Sequence, residues 1–318
     1  MVAAPRKLRI GTRGSQLAQI QTRLAVKSIQ AVYPDIECEI IQIKTTGDLT
    51  QKDNKPLHSL GGKELFAYEI NLQMLEGNVD IIVHSMKDLG ARRDPRFTIA
   101  AVLERASPVD CFISRDPRVE KLSDLPEGAV IGTSGPRRAA ISLNERPDLK
   151  IVSFRGNVPR RLQKLSEGYD GVDATYLARA GLDRLALAPD NCRTLTPQEM
   201  LPGAGQGAIG VDVLAQNEPL VELIRTIGCK TTYRSVMAEK TCLSVLNGDC
   251  KSAIGCYGVI NKGELYLRCL ALSMDGQHEI YDEIRGPAED YYDLGIKLGQ
   301  RIYETAGDRA TDIYRFQV

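Results

Sequence analysis

The stretch KLRIGTRGS, residues 7–15, reads as a short strand, a Gly-Thr turn and the opening of a helix at about Ser15, with Leu17, Ile20, Leu24 and Val32 among the helix's apolar positions. Strand, turn and helix make one α/β unit, and the chain uses the device again. AVIGTSGPRRAAI, residues 129–141, repeats the outline: an apolar strand, Gly132-Thr133, a tight turn, and a helix opening near Pro136, a residue suited to a first helical turn. KIVSFRGNVPRRLQKLSEG, residues 150–168, gives a third unit, with a strand to about Phe154 and a helix after about Asn157. TYLARAGLDRL, residues 175–185, reads as a further helix. In the first half, IECEIIQIKTTGD (36–48) is a second strand, KELFAYEINLQMLEG (63–77) an amphipathic helix closed by Gly77, and VDIIVHSMKD (79–88) a buried strand with a polar exit. This alternation predicts mostly parallel sheets covered on both faces.

RASPVDCFISRDP, residues 105–117, breaks the pattern with prolines and charges and is expected to cross between domains. LPGAGQGAIGVDVL, residues 201–214, has the G-x-G-x-x-G spacing, but a strand rather than a helix follows it. It therefore reads as a turning segment and not as a dinucleotide site. From Cys229 onward the order becomes helix, three strands, helix, a small α+β domain with a meander.

At 318 residues the chain suits two or three domains, and a cleft between domains is a natural ligand site. Forty-one basic and 41 acidic side chains cancel, which argues against a protein that coats nucleic acid or an anionic membrane, so any anion site must be local. Only five Phe and no Trp leave poor means for stacking RNA bases. No apolar run is long enough to span a bilayer, and MVAAPRKLRI is too short for a signal peptide. Eight cysteines, scattered and without a C-x-x-C pair, suggest neither a zinc site nor a disulfide framework, and fit a reducing compartment. Cys250, in the glycine-bearing stretch LNGDCKSAIGCYG (246–258), leaves open a metal ligand, half of a disulfide, a nucleophile, a covalent anchor or a small buried hydrophobe.

In open sheets ligands bind beyond the carboxyl ends of the strands. Arg13, Ser15, Asp48, Lys87, Asp88, Arg137, Arg138 and Arg155 all fall there. Guanidiniums and helix openings at strand ends suit a ligand with several carboxylates or phosphates. Asp88 opposes such a ligand unless it faces something positive, a developing cation or an acidic N–H. His84 reads as structural. A polycarboxylate receptor without catalysis explains the arginines but gives Asp88 and Cys250 no task.

RIGTRGSQLA, KTTGD, GGKELF, VDIIVHSMKDL, GTSGPRRAA, RGNVPRRLQKL, AGLDRL, PGAGQGAIGV and LNGDCKSAIG stand in an order and spacing that resembles the porphobilinogen deaminase (hydroxymethylbilane synthase) family, from about residue 8 to about 257. The resemblance implies two doubly wound α/β domains like those of periplasmic binding proteins around a cleft, plus a small α+β third domain. The expected bounds are 1–107 with 208–226, 111–203, and 228–318. It implies a dipyrromethane cofactor held by a thioether at Cys250, and an enzyme of tetrapyrrole biosynthesis. Four porphobilinogen molecules would be joined head to tail with loss of ammonia, and the linear tetrapyrrole would be freed by hydrolysis.

By the same resemblance Lys63, Ser15, Lys87, Arg137, Arg138, Arg161 and Arg184 hold cofactor carboxylates, and Arg13, Phe66, Arg155 and Arg184 hold substrate. Asp88 contacts pyrrole N–H groups and stabilises the cation formed as ammonia leaves. A monomer in the cytoplasm or plastid stroma is the expectation, with no metal, nucleic acid or membrane partner. This chain departs from the family pattern in the loop Gly248-Asp249-Cys250-Lys251-Ser252-Ala253, where the family has a second glycine in place of Asp249 and a proline in place of Ser252. It departs again at Asp173, which falls in an expected apolar strand.

Overall fold

The computed structural model describes residues 5–43, 62–91, 93–248 and 251–307. They form two compact units, residues 1–106 with 208–233 and residues 107–207 with 234–318.

The first unit is built on β1 (Lys7–Arg13), β2 (Glu37–Ile43), β3 (Ile81–Ser85), β4 (Phe97–Val102) and β10 (Ile209–Leu214), in the order β2-β1-β3-β10-β4. The opening stretch is strand then helix as read, but Gly11-Thr12 belong to β1, paired with Ile41 and Gln42, and the chain bends only at Gly14-Ser15. β1 runs parallel to β2 and β3, and α1 (Gln16–Val32) starts at Ser15, whose hydroxyl oxygen accepts the Ala18 N–H at 3.3 Å. The buried face of α1 is Gln21, Thr22, Ala25 and Ile29, while Leu24 and Val32 are exposed. Leu8, Ile10, Ala25, Ile29, Ile81, Val83, Val211 and Ile224 share one core. α2 (Gly62–Leu75) is followed by Gly77 at φ 73, a left-handed conformation that glycine adopts without cost, and α6 (Glu218–Arg225) is capped by Asn217.

The second unit repeats the plan. β5 (Asp110–Ser114), β6 (Val130–Gly132), β7 (Lys150–Val152), β8 (Ala174–Ala178) and β9 (Cys192–Thr194) are ordered β7-β6-β8-β5-β9. Here β6 takes the place of β1, β7 of β2, β8 of β3, β5 of β10 and β9 of β4. α3 (Pro136–Glu145) opens with Pro136, α4 (Val158–Ser166) is capped by Asn157, and α5 (Arg179–Leu185) follows β8. A Cβ on Gly132 would lie 2.8 Å from Phe154 Cγ, so the strand end admits only glycine.

Four expectations need correction. The sheets are mixed rather than mostly parallel, because β10 lies antiparallel to β3 and β4, and β5 antiparallel to β8 and β9. In each unit the antiparallel strand is the one that follows a crossing from the other unit, and such a strand enters without the crossover helix that parallel pairing needs. The segment 105–117 is not all crossing, since Asp110–Ser114 is a fully buried central strand. Thr175–Ala178 belongs to β8 and not to a helix; a short apolar run buried on both faces carries no period to tell the two apart. Asp173 precedes β8, where its carboxylate accepts the Val130 N–H at 2.9 Å and pairs with Arg115.

A third sheet, the antiparallel meander β11 (Ile254–Asn261), β12 (Glu264–Leu272) and β13 (Glu279–Pro287), packs with α7 (Lys230–Val245) and α8 (Tyr291–Ala306) within the second unit. Its Ala253 and Leu272 share a core with Ile131, Ala140 and Tyr176. Glu239 of α7, fully buried, accepts the N–H groups of Gly205 and Gly258 at 2.7 and 2.9 Å, tying the 201–207 turn to the meander. Gly295 and Gly299 let α8 approach α7 closely: a Cβ on either would come within 2.7 Å of α7 atoms. α7 ends with Asn247 in the left-handed region and the Gly248 N–H donating to Leu243 O at 2.9 Å, a Schellman-type stop.

Candidate functional site

In the first unit, β1 and β3 are adjacent and parallel, so the groups at their ends are brought side by side. Arg13 is the last residue of β1, Ser15 caps α1, and Lys87 and Asp88 lie in the single 3-10 turn that follows β3. Thr22 donates to Thr12 at 2.8 Å and Gln21 to Ser85 at 2.6 Å, so α1 is stitched to both strand ends. Arg13 and Asp88 both act electrostatically on His84, with opposite sign: Asp88 favours its protonated form and Arg13 disfavours it. Lys63 and Phe66 fall in α2, but their side chains lie outside the described residues, and Asp48 and Cys250 are outside them altogether.

His84 is buried, as expected of a structural histidine, with Nε2 3.5 Å from Asp212, which is also bound by Arg93. Burial, more than any neighbour, holds its pKa below the ordinary value, against the pull of Asp212.

In the second unit, Arg137 and Arg138 occupy the first turn of α3, beyond the end of β6, and Arg155 lies just past β7. Sequence reasoning gave this pair only a ligand to hold. The structure adds a buried partner: Asp110, the first residue of β5, accepts from Arg137 and from Arg138 at 2.6 Å each, and from Gln206 Nε2 at 2.9 Å. Burial alone would raise the Asp110 pKa, but the two guanidiniums outweigh it and hold the carboxyl well below the usual carboxylate range. Arg137 also donates to Leu201 O at 2.7 Å and Arg138 to Tyr176 O at 3.0 Å. Arg161 Nε donates to Gly156 O at 2.8 Å, and Arg184 donates to Gly207 O at 2.8 Å, its pKa lowered chiefly by burial.

Asp110, Gln206 and Asp212 were missed. The signal was available, since an aspartate opening or interrupting a buried strand must find a cation or several N–H donors. Which cation depends on strand order, which short sequence patterns do not give.

Chemically, the second site offers a rigid pair of guanidiniums whose charge exceeds that of Asp110 by one. Arg138 Nε is buried and has no hydrogen-bond partner among the described residues. A donor left over in this way fits an added carboxylate. Beside it in the sequence order, the first site mixes cations with one carboxylate, Asp88, and so suits a ligand that carries both anionic groups and acidic or developing positive charge.

Residues 8–222 match the family model for the porphobilinogen deaminase dipyrromethane cofactor binding domain, and residues 233–304 match the porphobilinogen deaminase C-terminal domain. The chain is 37% identical over 300 residues to a porphobilinogen deaminase of Alkaliphilus metalliredigens, covering 94% of this chain and 93% of that protein. It is 39% identical to that of Pelobacter propionicus, covering 95% and 96%, and 42% identical to that of Rickettsia conorii, covering 79% and 70%. Among solved structures it is similar to the methionine binding protein MetQ, with a TM-score of 0.43 and 13% identity over 74% of this chain and 94% of that one. With both family domains matched in order along nearly its whole length, the chain belongs to the porphobilinogen deaminase family.

Proposed function

We propose that this chain is a hydroxymethylbilane synthase, a transferase that condenses four porphobilinogen molecules head to tail with release of ammonia and then frees the linear tetrapyrrole by hydrolysis. The observation that carries the reading is the arginine pair on Asp110, with one buried guanidinium nitrogen left over, in a domain matched as dipyrromethane cofactor binding. Each porphobilinogen brings an acetate and a propionate, so cofactor and growing chain accumulate carboxylates that need fixed cations. When bound, the dipyrromethane supplies the pyrrole onto which the chain is built.

In this reading Arg137 and Arg138 hold cofactor carboxylates while Asp110 keeps their guanidiniums in place, so little side-chain entropy is lost on binding. Arg161, Arg184, Lys63 and Lys87 serve the same cofactor, and Ser15, whose oxygen is occupied as a helix cap, still has its O–H to donate. Arg13, Arg155, Arg184 and Phe66 hold substrate. Asp88 accepts from pyrrole N–H groups and lowers the energy of the positive charge that grows on the substrate as its amino group leaves. The family's three-domain division, with 228–318 bearing the anchor, belongs to this reading, as do a monomeric state and a cytoplasmic or plastid location. No described helix is long and apolar enough to cross a membrane.

Cys250 is the proposed thioether anchor. Support comes from its flanks: the helix stop at Asn247-Gly248 and the buried Ser252 and Ala253 fix the chain on both sides of it. The test is the intact mass of the denatured protein with peptide mapping. A mass excess of two linked pyrroles on the Cys250 peptide, absent in Cys250→Ala, is the expected result. An unmodified mass that persists after incubation with porphobilinogen would overturn the reading.

A further inference from the structure

Three cysteines that the proposed reaction does not use meet in the core of the meander. Cys242 on α7, Cys256 on β11 and Cys269 on β12 are each fully buried, and their sulfur atoms lie within 4.8 Å of one another. Cys256 and Cys269 are direct cross-strand partners, and Cys242 reaches them from the helix. Fourteen and thirteen positions separate them along the chain, outside any short metal-binding spacing, so sequence inspection passes over them. We propose that these three thiols form a site for a soft, low-coordinate metal ion such as Cu(I).

The geometry favours it. An ion at the centre of three sulfurs with metal–sulfur bonds of about 2.3 Å sets the sulfurs about 4 Å apart, a contraction of less than about 1 Å from the arrangement seen. Zinc in a structural site takes four ligands in a tetrahedron. Among the described residues no fourth His, Cys, Asp or Glu joins the three. Thiolate sulfur without oxygen or nitrogen donors selects the softer ion. Each sulfur that binds does so as thiolate and gives its proton to solvent, with no change in the oxidation state of metal or sulfur. An ion here would tie the helix that enters residues 246–253 to the strand that leaves them.

The test uses the full chain, as isolated, under anaerobic conditions, with Cu(I) offered against a chromophoric chelator. One equivalent withdrawn per chain is expected, with copper-edge X-ray absorption showing three sulfur neighbours, a readout that needs no variant. Cys242→Ala, Cys256→Ala and Cys269→Ala should each weaken retention at least tenfold, whereas Cys38→Ala and the double variant Cys111→Ala/Cys192→Ala should retain it. Cu(I) should also raise the Tm of the wild type and not of the three variants, whose folding is verified by their own metal-free transitions. Failure to withdraw copper, retention undiminished in the three variants, or loss in the Cys111/Cys192 variant would each overturn the proposal. The first of these would leave the thiols as small apolar filling.

Discussion

The two α/β sheets share one topology, yet their crossing strands carry buried aspartates in opposite conditions. Asp110 on β5 is saturated, with two arginines and a glutamine donating to it. Asp212 on β10 binds Arg93 through one oxygen, which lies 3.5 Å from His84 Nε2 without a hydrogen bond, and its Oδ1 has no hydrogen-bond partner among the described residues. The same device, a buried carboxylate on the crossing strand, thus locks one set of cations and leaves the other underdetermined. A rigid arginine pair suits holding a ligand that stays in place. The looser network acts on the same His84 as Asp88 does, the residue proposed to face a growing positive charge.

Asp88→Asn sharpens the contrast most. It should lower kcat by about 10²–10³-fold, the scale on which removing one preorganised charge-stabilising group acts, with an unchanged Tm. Steady-state turnover of porphobilinogen checks this, and near-normal kcat would take Asp88 out of the mechanism.

Asp110→Asn should do the reverse in kind, costing about 3–5 kcal/mol in stability because it strands two buried guanidiniums. Urea unfolding measures it. The contribution of the carboxylate is present above its unfolded pKa of about 4 and is lost only as pH falls through the lower value of the folded state.

For Asp212→Asn the amide nitrogen can take the unpartnered side while the remaining oxygen still accepts from Arg93, so a loss of about 1–2 kcal/mol is expected. Equal losses in the two asparagine variants would erase the distinction between the sheets.

The smallest effect concerns His84. Its folded pKa is depressed, so below the ordinary value of about 6.5 the unfolded chain takes up a proton that the folded chain does not. Stability is therefore full above about pH 6.5 and falls toward pH 5, by at most about 1.4 kcal/mol per pH unit from this group. Denaturation midpoints from pH 7.5 to 5 should flatten in His84→Asn. An unchanged slope would show that this histidine is not the titrating group.

Local chemistry was readable wherever a residue does its work within a few positions of itself. Ser15 and Asn157 cap the helices they precede, Pro136 opens α3, and Gly77 ends α2. Helix starts are set by hydrogen bonds between near neighbours, and those patterns survive in one dimension. The misreadings share an origin. TYLA was given to a helix because burial on both faces removes the period. Leu24 and Val32 read only as apolar positions of the first helix, and both are exposed, while the buried face is Gln21, Thr22, Ala25 and Ile29.

From sequence alone came the repeated strand-turn-helix plan, the family, the strand-end cations and the need for one carboxylate among them. These follow from residue types, spacings and net charge, quantities that folding does not alter. The direction of β5 and β10, the commitment of Arg137 and Arg138 to Asp110, and the meeting of Cys242, Cys256 and Cys269 came only from the tertiary structure. Each joins residues distant along the chain, and what brings such residues together is the packing of whole sheets and helices, whose free energy no local pattern encodes.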